Sequence, residues 1–186
     1  GKTRGSKRMT SHQTTLVNTH YFRLIGGDEM QVINPSLRIG DIVRIIQPNF
    51  ARLNTRWYDR REQQLISYCV GRRAQVRSIY EYNGRVRYKL LIEGVSRTTT
   101  YGFELHEITY DSAPSEPFPT HVFALGEPVA FATQVHNRKP KQHTIERITY
   151  FNQYGDIRYR LHNNQKYYKH TELVSLTAPS LNYTLF

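Results

Sequence analysis

The sequence predicts an all-β protein, with two related small barrels in tandem behind a basic, flexible N-terminal arm. Three observations predict it. Alternating apolar and polar segments punctuated by turn residues run along the chain, with Pro, Gly and β-branched residues interrupting every window that could form an amphipathic helix. Three blocks of the first half recur, in the same order, in the second. The first twelve residues carry four basic side chains, no acidic one and almost nothing to bury.

That opening stretch, Gly1 to His12, is expected to be disordered when free and to order along phosphates by counterion release; a plain solubilising tail is the competing reading. Its cations are Lys2, Arg4, Lys7 and Arg8. With a lead-in it fills residues 1–36.

The repeat begins with Leu37-Arg38-Ile39-Gly40-Asp41-Ile42-Val43, matched by Phe123-Ala124-Leu125-Gly126-Glu127-Pro128-Val129. In both, apolar residues precede a turn glycine followed by an acid. The stretch from Val76 to Leu90 answers the stretch from Ile145 to Leu161, the second having two more residues before its glycine. The closing block sets Tyr101 to Ile108 against Tyr168 to Leu176. Asn83-Gly84 lies between alternating segments and tolerates the positive φ angles of a tight hairpin. In Arg85-Val86-Arg87-Tyr88-Lys89-Leu90 apolar and basic residues alternate, so one face packs inward while the other presents charge; Ile157-Arg158-Tyr159-Arg160-Leu161 repeats the pattern. The intervening Asp111 to Pro119 contains three prolines and reads as a stiff extended connector.

An opening Gly-Asp/Glu-x-Val strand, a long loop, a hairpin and a short closing segment resemble the SH3-like small barrels, KOW and Tudor modules among them. The likeness covers residues 37–108 and 123–176 and rests on motifs that specify a barrel, not a partner. It implies a first barrel over 37–110, a Pro-rich linker over 111–122, a second barrel over 123–176 and a C-terminal extension over 177–186 that can cross to a neighbouring chain. It also implies binding of RNA, DNA, peptides or neighbouring subunits in preference to catalysis. Pro128 departs from the opening pattern and places the start of that strand at a sheet edge, because proline donates no ladder hydrogen bond.

The 186 residues carry a formal net charge of +11, which makes nucleic acid the first partner to consider. Lysine occurs only at 2, 7, 89, 139, 141, 166 and 169, so the surplus is mainly Arg, which grips phosphates with two donors and stacks on bases. The loop from Gln47 to Arg61 interleaves both residue types: bases can stack on Trp57, Tyr58 or Phe50 while Arg52, Arg56, Arg60 and Arg61 meet phosphates. Trp57 reads equally as a residue closing the barrel core, and Arg72 and Arg73 equally as a solvated strand face. The matching loop of the second repeat offers Arg138, Lys139 and Lys141 without aromatics, hence electrostatic contact alone.

The same fourteen tyrosines and surplus arginines suit protein interfaces, so a structural subunit of a virion or a ribosome-like particle is the alternative. Both readings set the chain in the cytoplasm or inside a viral or ribonucleoprotein particle. Catalysis, a small-molecule substrate, a cofactor and a membrane are not expected. No apolar run approaches the roughly 18 residues that span a bilayer. The eight histidines show no metal-holding spacing, and neither a Walker loop nor a GxSxG elbow occurs. The single cysteine, Cys69, rules out an internal disulfide; within Leu65-Ile66-Ser67-Tyr68-Cys69-Val70 it reads as a small buried side chain.

Overall fold

The computed structural model describes the strands β1 (Phe22–Leu24) and β2 (Met30–Val32) and the continuous stretch 37–177. The first two form an antiparallel pair, Phe22 opposite Val32 and Leu24 opposite Met30, within the span that the sequence reading leaves as a lead-in. Lys2, Arg4, Lys7, Arg8 and nearly all of the C-terminal extension lie outside the described residues.

From Leu37 onward strands dominate, in a single antiparallel network. The first repeat supplies β3 (Ile42–Ile45), β4 (Arg73–Tyr82), β5 (Arg85–Ile92) and β6 (Ile108–Ser112). The second supplies β7 (Pro128–Phe131), β8 (His143–Phe151), β9 (Asp156–Leu161), β10 (Tyr167–Lys169) and β11 (Leu173–Ser175). Within the first repeat β4 lies between β5 and β3, and β3 also pairs with β6. Within the second, β8 lies between β9 and β7, and β7 also pairs with β11.

The correspondence extends to single hydrogen bonds. Gly40 and Gly126 both take positive φ, 94° and 79°. Gly40 N donates to Val76 O and Gly126 N to Ile145 O, each at 2.8 Å. The acid after each glycine accepts from the backbone three residues before itself: Arg38 N to Asp41 Oδ2 at 2.7 Å, Ala124 N to Glu127 Oε2 at 2.8 Å. β4 and β8 each bulge at the same place, Val76/Ser78 and Ile145/Arg147. The third block matches with Glu104 against Lys169 and Glu107 against Glu172, whose carboxylates accept from those backbone N–H groups at 2.7 and 2.8 Å. That register lies two residues from one setting Tyr101 against Tyr168; a shared aromatic is a weaker register mark than a turn that must be capped.

The repeats do not stand as two closed sheets. β5 occupies one edge of β4 along its length, and the other edge is shared: its first residues pair with β3, while Ser78, Ile79 and Tyr80 pair with Thr149, Ile148 and Arg147 of β8. The resulting network is open, running β10-β9-β8-β4-β3-β6. A continuous apolar cluster drawn from both repeats, including Val43, Ile79, Leu90, Phe103, Val129, Ile148 and Leu161, lies beneath it.

Turn chemistry explains the hairpins. Asn83 and Gly84 both adopt positive φ, 51° and 72°, closing β4 onto β5 in two residues. The second repeat uses four residues between Phe151 and Asp156, with Gly155 at φ 64° and its N–H on Phe151 O. The expected alternation holds, since Tyr88, Leu90, Ile157, Tyr159 and Leu161 are all buried.

Three expectations are corrected. First, the loop after β3 contains helices, α1 (Phe50–Leu53) and α2 (Arg60–Tyr68). Asp59 caps α2 by accepting from Glu62 N at 2.8 Å, and Leu65, Ile66 and Cys69 turn inward one helical turn later. The signal was Asp59 three residues before Glu62, a start mark weak enough to be masked by the Arg and Gln around it. Second, Pro128 is not at a sheet edge: β7 lies between β8 and β11, and Pro128 opens it, accepting from Leu176 N at 2.9 Å. Third, the Pro-rich connector is packed into the body. Phe118 stacks on Tyr150 with centroids 4.6 Å apart and fills the space above Gly40, and Val122 N donates to Tyr159 Oη at 2.7 Å.

Cys69 is fully buried. Among the described residues no helix is long and apolar enough to cross a membrane.

Candidate nucleic-acid interface

Pairing of β4 with β8 sets the outward face of one hairpin beside that of the other. Register fixes which side chains share that face. Ser78 stands opposite Lys89, Tyr80 opposite Arg87 and Tyr82 opposite Arg85; across the shared edge Tyr80 stands opposite Arg147, which in turn faces Arg160. Arg158 faces Thr149 on the same side. Five strands from β5 to β10 at about 4.8 Å spacing make this face roughly 19 Å wide.

Seven cations, Arg85, Arg87, Lys89, Arg147, Arg158, Arg160 and Lys169, meet three carboxylates there. Glu104 serves Arg85 and Arg87, Glu146 serves Arg160, and Asp156 serves Arg158. Arg147 and Lys89 lean on the Tyr80 ring, at 4.3 and 5.7 Å from its centroid. Burial, and then the charge of Arg147, push the Lys89 ammonium below its ordinary pKa, against the pull of Glu62. Burial likewise raises the Tyr80 phenol, which keeps its proton.

Beside this cluster opens a cleft of about 530 Å³ lined by Arg52, Thr55, Trp57, Tyr58, Tyr80, Tyr82 and Arg87. The loop carrying α1 and α2 forms one wall and the β4–β5 hairpin the other. Trp57, 76% exposed, does not close the core, and Arg56 lies over its ring at 5.0 Å. Tyr82 is 54% exposed beneath Arg87, whose guanidinium sits 5.0 Å from the ring.

Arg52 is held firmly. It pairs with the buried Glu107, donates to Gly102 O at 2.6 Å and lies 4.4 Å over the Tyr101 ring. Glu107 also accepts from Asn49 N and Tyr101 Oη, each at 2.5 Å. Arg52 therefore shapes the wall, with its charge answered from below.

The structure thus gathers Arg52, Trp57 and Tyr58, with Arg56 stacked beside them, and leaves the other expected residues elsewhere. Arg60 and Arg61 are exposed on the first turn of α2. Arg72 donates to Glu93 O at 2.6 Å, and Arg73 pairs with Asp111 at 3.0 Å. Both stand at the far end of β4, more than roughly 20 Å from Tyr80 at 3.3 Å per residue. Arg138, Lys139 and Lys141 are exposed in the loop before β8, without an ion pair among the described residues.

The sheet-face cations and Tyr80 and Tyr82 were not among the expected site residues. Alternation in 85–90 and 157–161 announced two charged faces; nothing in either segment announced that they adjoin.

Among the described residues no group of three or more His, Cys, Asp and Glu side chains could hold a metal. Compared with protein-family models, curated proteins and solved structures, the chain finds no match in any of the three.

Proposed function

We propose that the protein is a non-enzymatic nucleic-acid-associated binding protein that acts within a larger assembly, gripping a phosphate backbone on the joint face of its two hairpins. Each repeat is read as an SH3-like small barrel module, the two fused through β4 and β8. The strand pairing common to both repeats, with the opening strand between the hairpin and the closing strand, supports that reading. The N-terminal arm, with Lys2, Arg4, Lys7 and Arg8, adds sequence-independent contacts.

The observation that carries the proposal is the cation cluster around Tyr80, where neither Lys89 nor Arg147 forms a direct ion pair among the described residues and Lys89 feels only the longer-range pull of Glu62. Stacking on the Tyr80 ring offsets only part of the repulsion between two partly desolvated cations; a bound phosphate would relieve the rest.

A second reading, a subunit held mainly by protein contacts, is favoured by exposed apolar side chains away from that face: Tyr68 at 80%, Tyr110 at 54% and Ile46 at 50%. The two readings are compatible within one particle.

The test is a binding titration against single- and double-stranded RNA and DNA at two salt concentrations, with a parallel sample lacking the arm. Affinity should fall steeply with salt, and Arg147→Ala with Arg160→Ala should reduce the logarithmic slope by about 0.7 per lost contact on a single strand. Absence of binding to every nucleic acid at low salt would leave the protein-contact reading in its place.

A further inference from the structure

Resting on the interface reading, we propose that the cleft between the α1–α2 loop and the β4–β5 hairpin is a base-binding pocket, which takes an unpaired nucleobase and so selects single strands. Its volume of about 530 Å³ is enough to admit a small planar ligand from the open side. Trp57 and Tyr82 keep large parts of their rings in water. Each ring carries a guanidinium near it, Arg56 by Trp57 and Arg87 by Tyr82, and a base could stack on the rest of its surface.

The lining also discriminates between ligands. It contains four aromatic rings, two guanidinium groups, one threonine and no carboxylate. A methylated ammonium group is drawn to aromatic cages, yet here it would meet Arg52 and Arg87 with no anion to answer it. A purely apolar ligand would cover the outer edges of these guanidinium groups without meeting their remaining N–H bonds. A nucleobase uses both: its face stacks on the rings or on a guanidinium plane, and its edge accepts from N–H groups.

The donors are fixed in advance. Arg52 is pinned by Glu107 and Gly102 O, and Arg87 by Glu104 and the Tyr82 ring, so little freedom is lost when a ligand arrives. Lys89 and Arg147, against Tyr80 at the margin of the cleft, suit the phosphates flanking the inserted base. A base inside a duplex has both faces covered by its neighbours and cannot enter without being flipped out.

Trp57 is the sole tryptophan of the chain, so its emission reports on this cleft alone. The full-length protein is titrated with a short adenine-rich single strand, with the corresponding duplex and with a trimethyl-lysine peptide. Trp57 emission and the anisotropy of a labelled oligonucleotide are followed together. The single strand should quench Trp57 to saturation. Tyr82→Ala should weaken its binding by about five- to 150-fold, the value of one base stack, without lowering the melting temperature, because Tyr82 is half exposed. Lys89→Ala should weaken binding and flatten the salt dependence while leaving the final quench unchanged. By anisotropy, Trp57→Phe should retain most of the affinity and Trp57→Ala should lose it.

Binding seen by anisotropy, with unchanged Trp57 emission and full affinity in Tyr82→Ala, would overturn the base pocket and leave the phosphate face standing. Equal quenching by the duplex would overturn the preference for single strands. Quenching by the peptide alone would assign the cleft to a cation. If no oligonucleotide binds by either signal, the pocket and the interface fall together.

Discussion

Ile79 of β4 lies opposite Ile148 of β8, and the two are the same position of the repeat. Ser78 opposite Thr149 and Tyr80 opposite Arg147 follow as a symmetric set around them, with Ser78 Oγ and Thr149 Oγ1 sharing a hydrogen bond at 2.8 Å. Both isoleucines are buried, at 5% and 1% exposure.

Truncating either one opens a cavity on the line that joins the repeats. Ile148→Ala should cost about 2 to 5 kcal/mol in urea denaturation. The double variant with Ile79→Ala should depart from additivity, because the two side chains share one packing site. A loss below about 0.5 kcal/mol would mean that β4 and β8 are held together by something other than this pair.

Gly102 explains where Tyr80 lies. A Cβ at position 102 would overlap the Tyr80 hydroxyl, so Gly102→Ala should displace the ring that floors the cleft and destabilise the fold by about 1 to 3 kcal/mol. Adding Tyr80→Phe removes the colliding oxygen and should restore most of the loss. Chemical denaturation of the two single variants and the pair decides the matter; absence of rescue would place the strain at the backbone.

Glu107 joins three elements with one carboxylate, holding Asn49 before α1, Arg52 within it and Tyr101 beyond β5, besides Glu104 N of its own turn. Glu107→Gln leaves the Arg52 guanidinium without its counter-ion in a site largely closed to water. The expected cost is about 3 to 5 kcal/mol, together with a loosening of the α1 wall that hydrogen exchange at Leu53 would register. Native-like protection at Leu53 would contradict it.

Three of the buried phenols give the protein an alkaline limit. Burial raises the pKa of Tyr80, Tyr101 and Tyr159, and for Tyr101 the hydrogen bond to the Glu107 carboxylate raises it further. A phenol whose folded pKa exceeds its unfolded value of about 10 keeps its proton in the native state where the unfolded chain has lost it. Stability is therefore full below pH of about 10 and declines as pH rises beyond it. In a spectrophotometric titration the absorbance of these three should appear together with the loss of folded structure. Their ionisation within an intact fold would refute the burial argument.

Much of this architecture was legible because the repeat repeats its constraints. A glycine forced to positive φ, an acid capping the turn before it and an Asn-Gly hairpin are local requirements, visible wherever they occur. Cys69 was legible for the same reason, from its apolar neighbours. The helices were not: Arg60 to Gln64 bear polar side chains, and the burial of Glu62 depends on Thr100 N and Tyr101 N, which come from far along the chain and accept no prediction from spacing. The pairing of β4 with β8 was hidden more deeply, since the choice of neighbour for a strand edge is settled by the whole body. Hence the reading of the sequence found the aromatic loop that forms one wall of the cleft and missed the strand that forms the other.

The helical insert stands after the opening strand of the first repeat only; the second has a short turn, Ala132–Gln134, and an exposed loop in its place. Near-symmetric hairpins offer a linear polymer no means of telling its head from its tail. One wall, raised on one side alone, removes that ambiguity: under the proposed function, a chain laid across these strands would meet the α1–α2 wall at one end only, and would lie in a single direction.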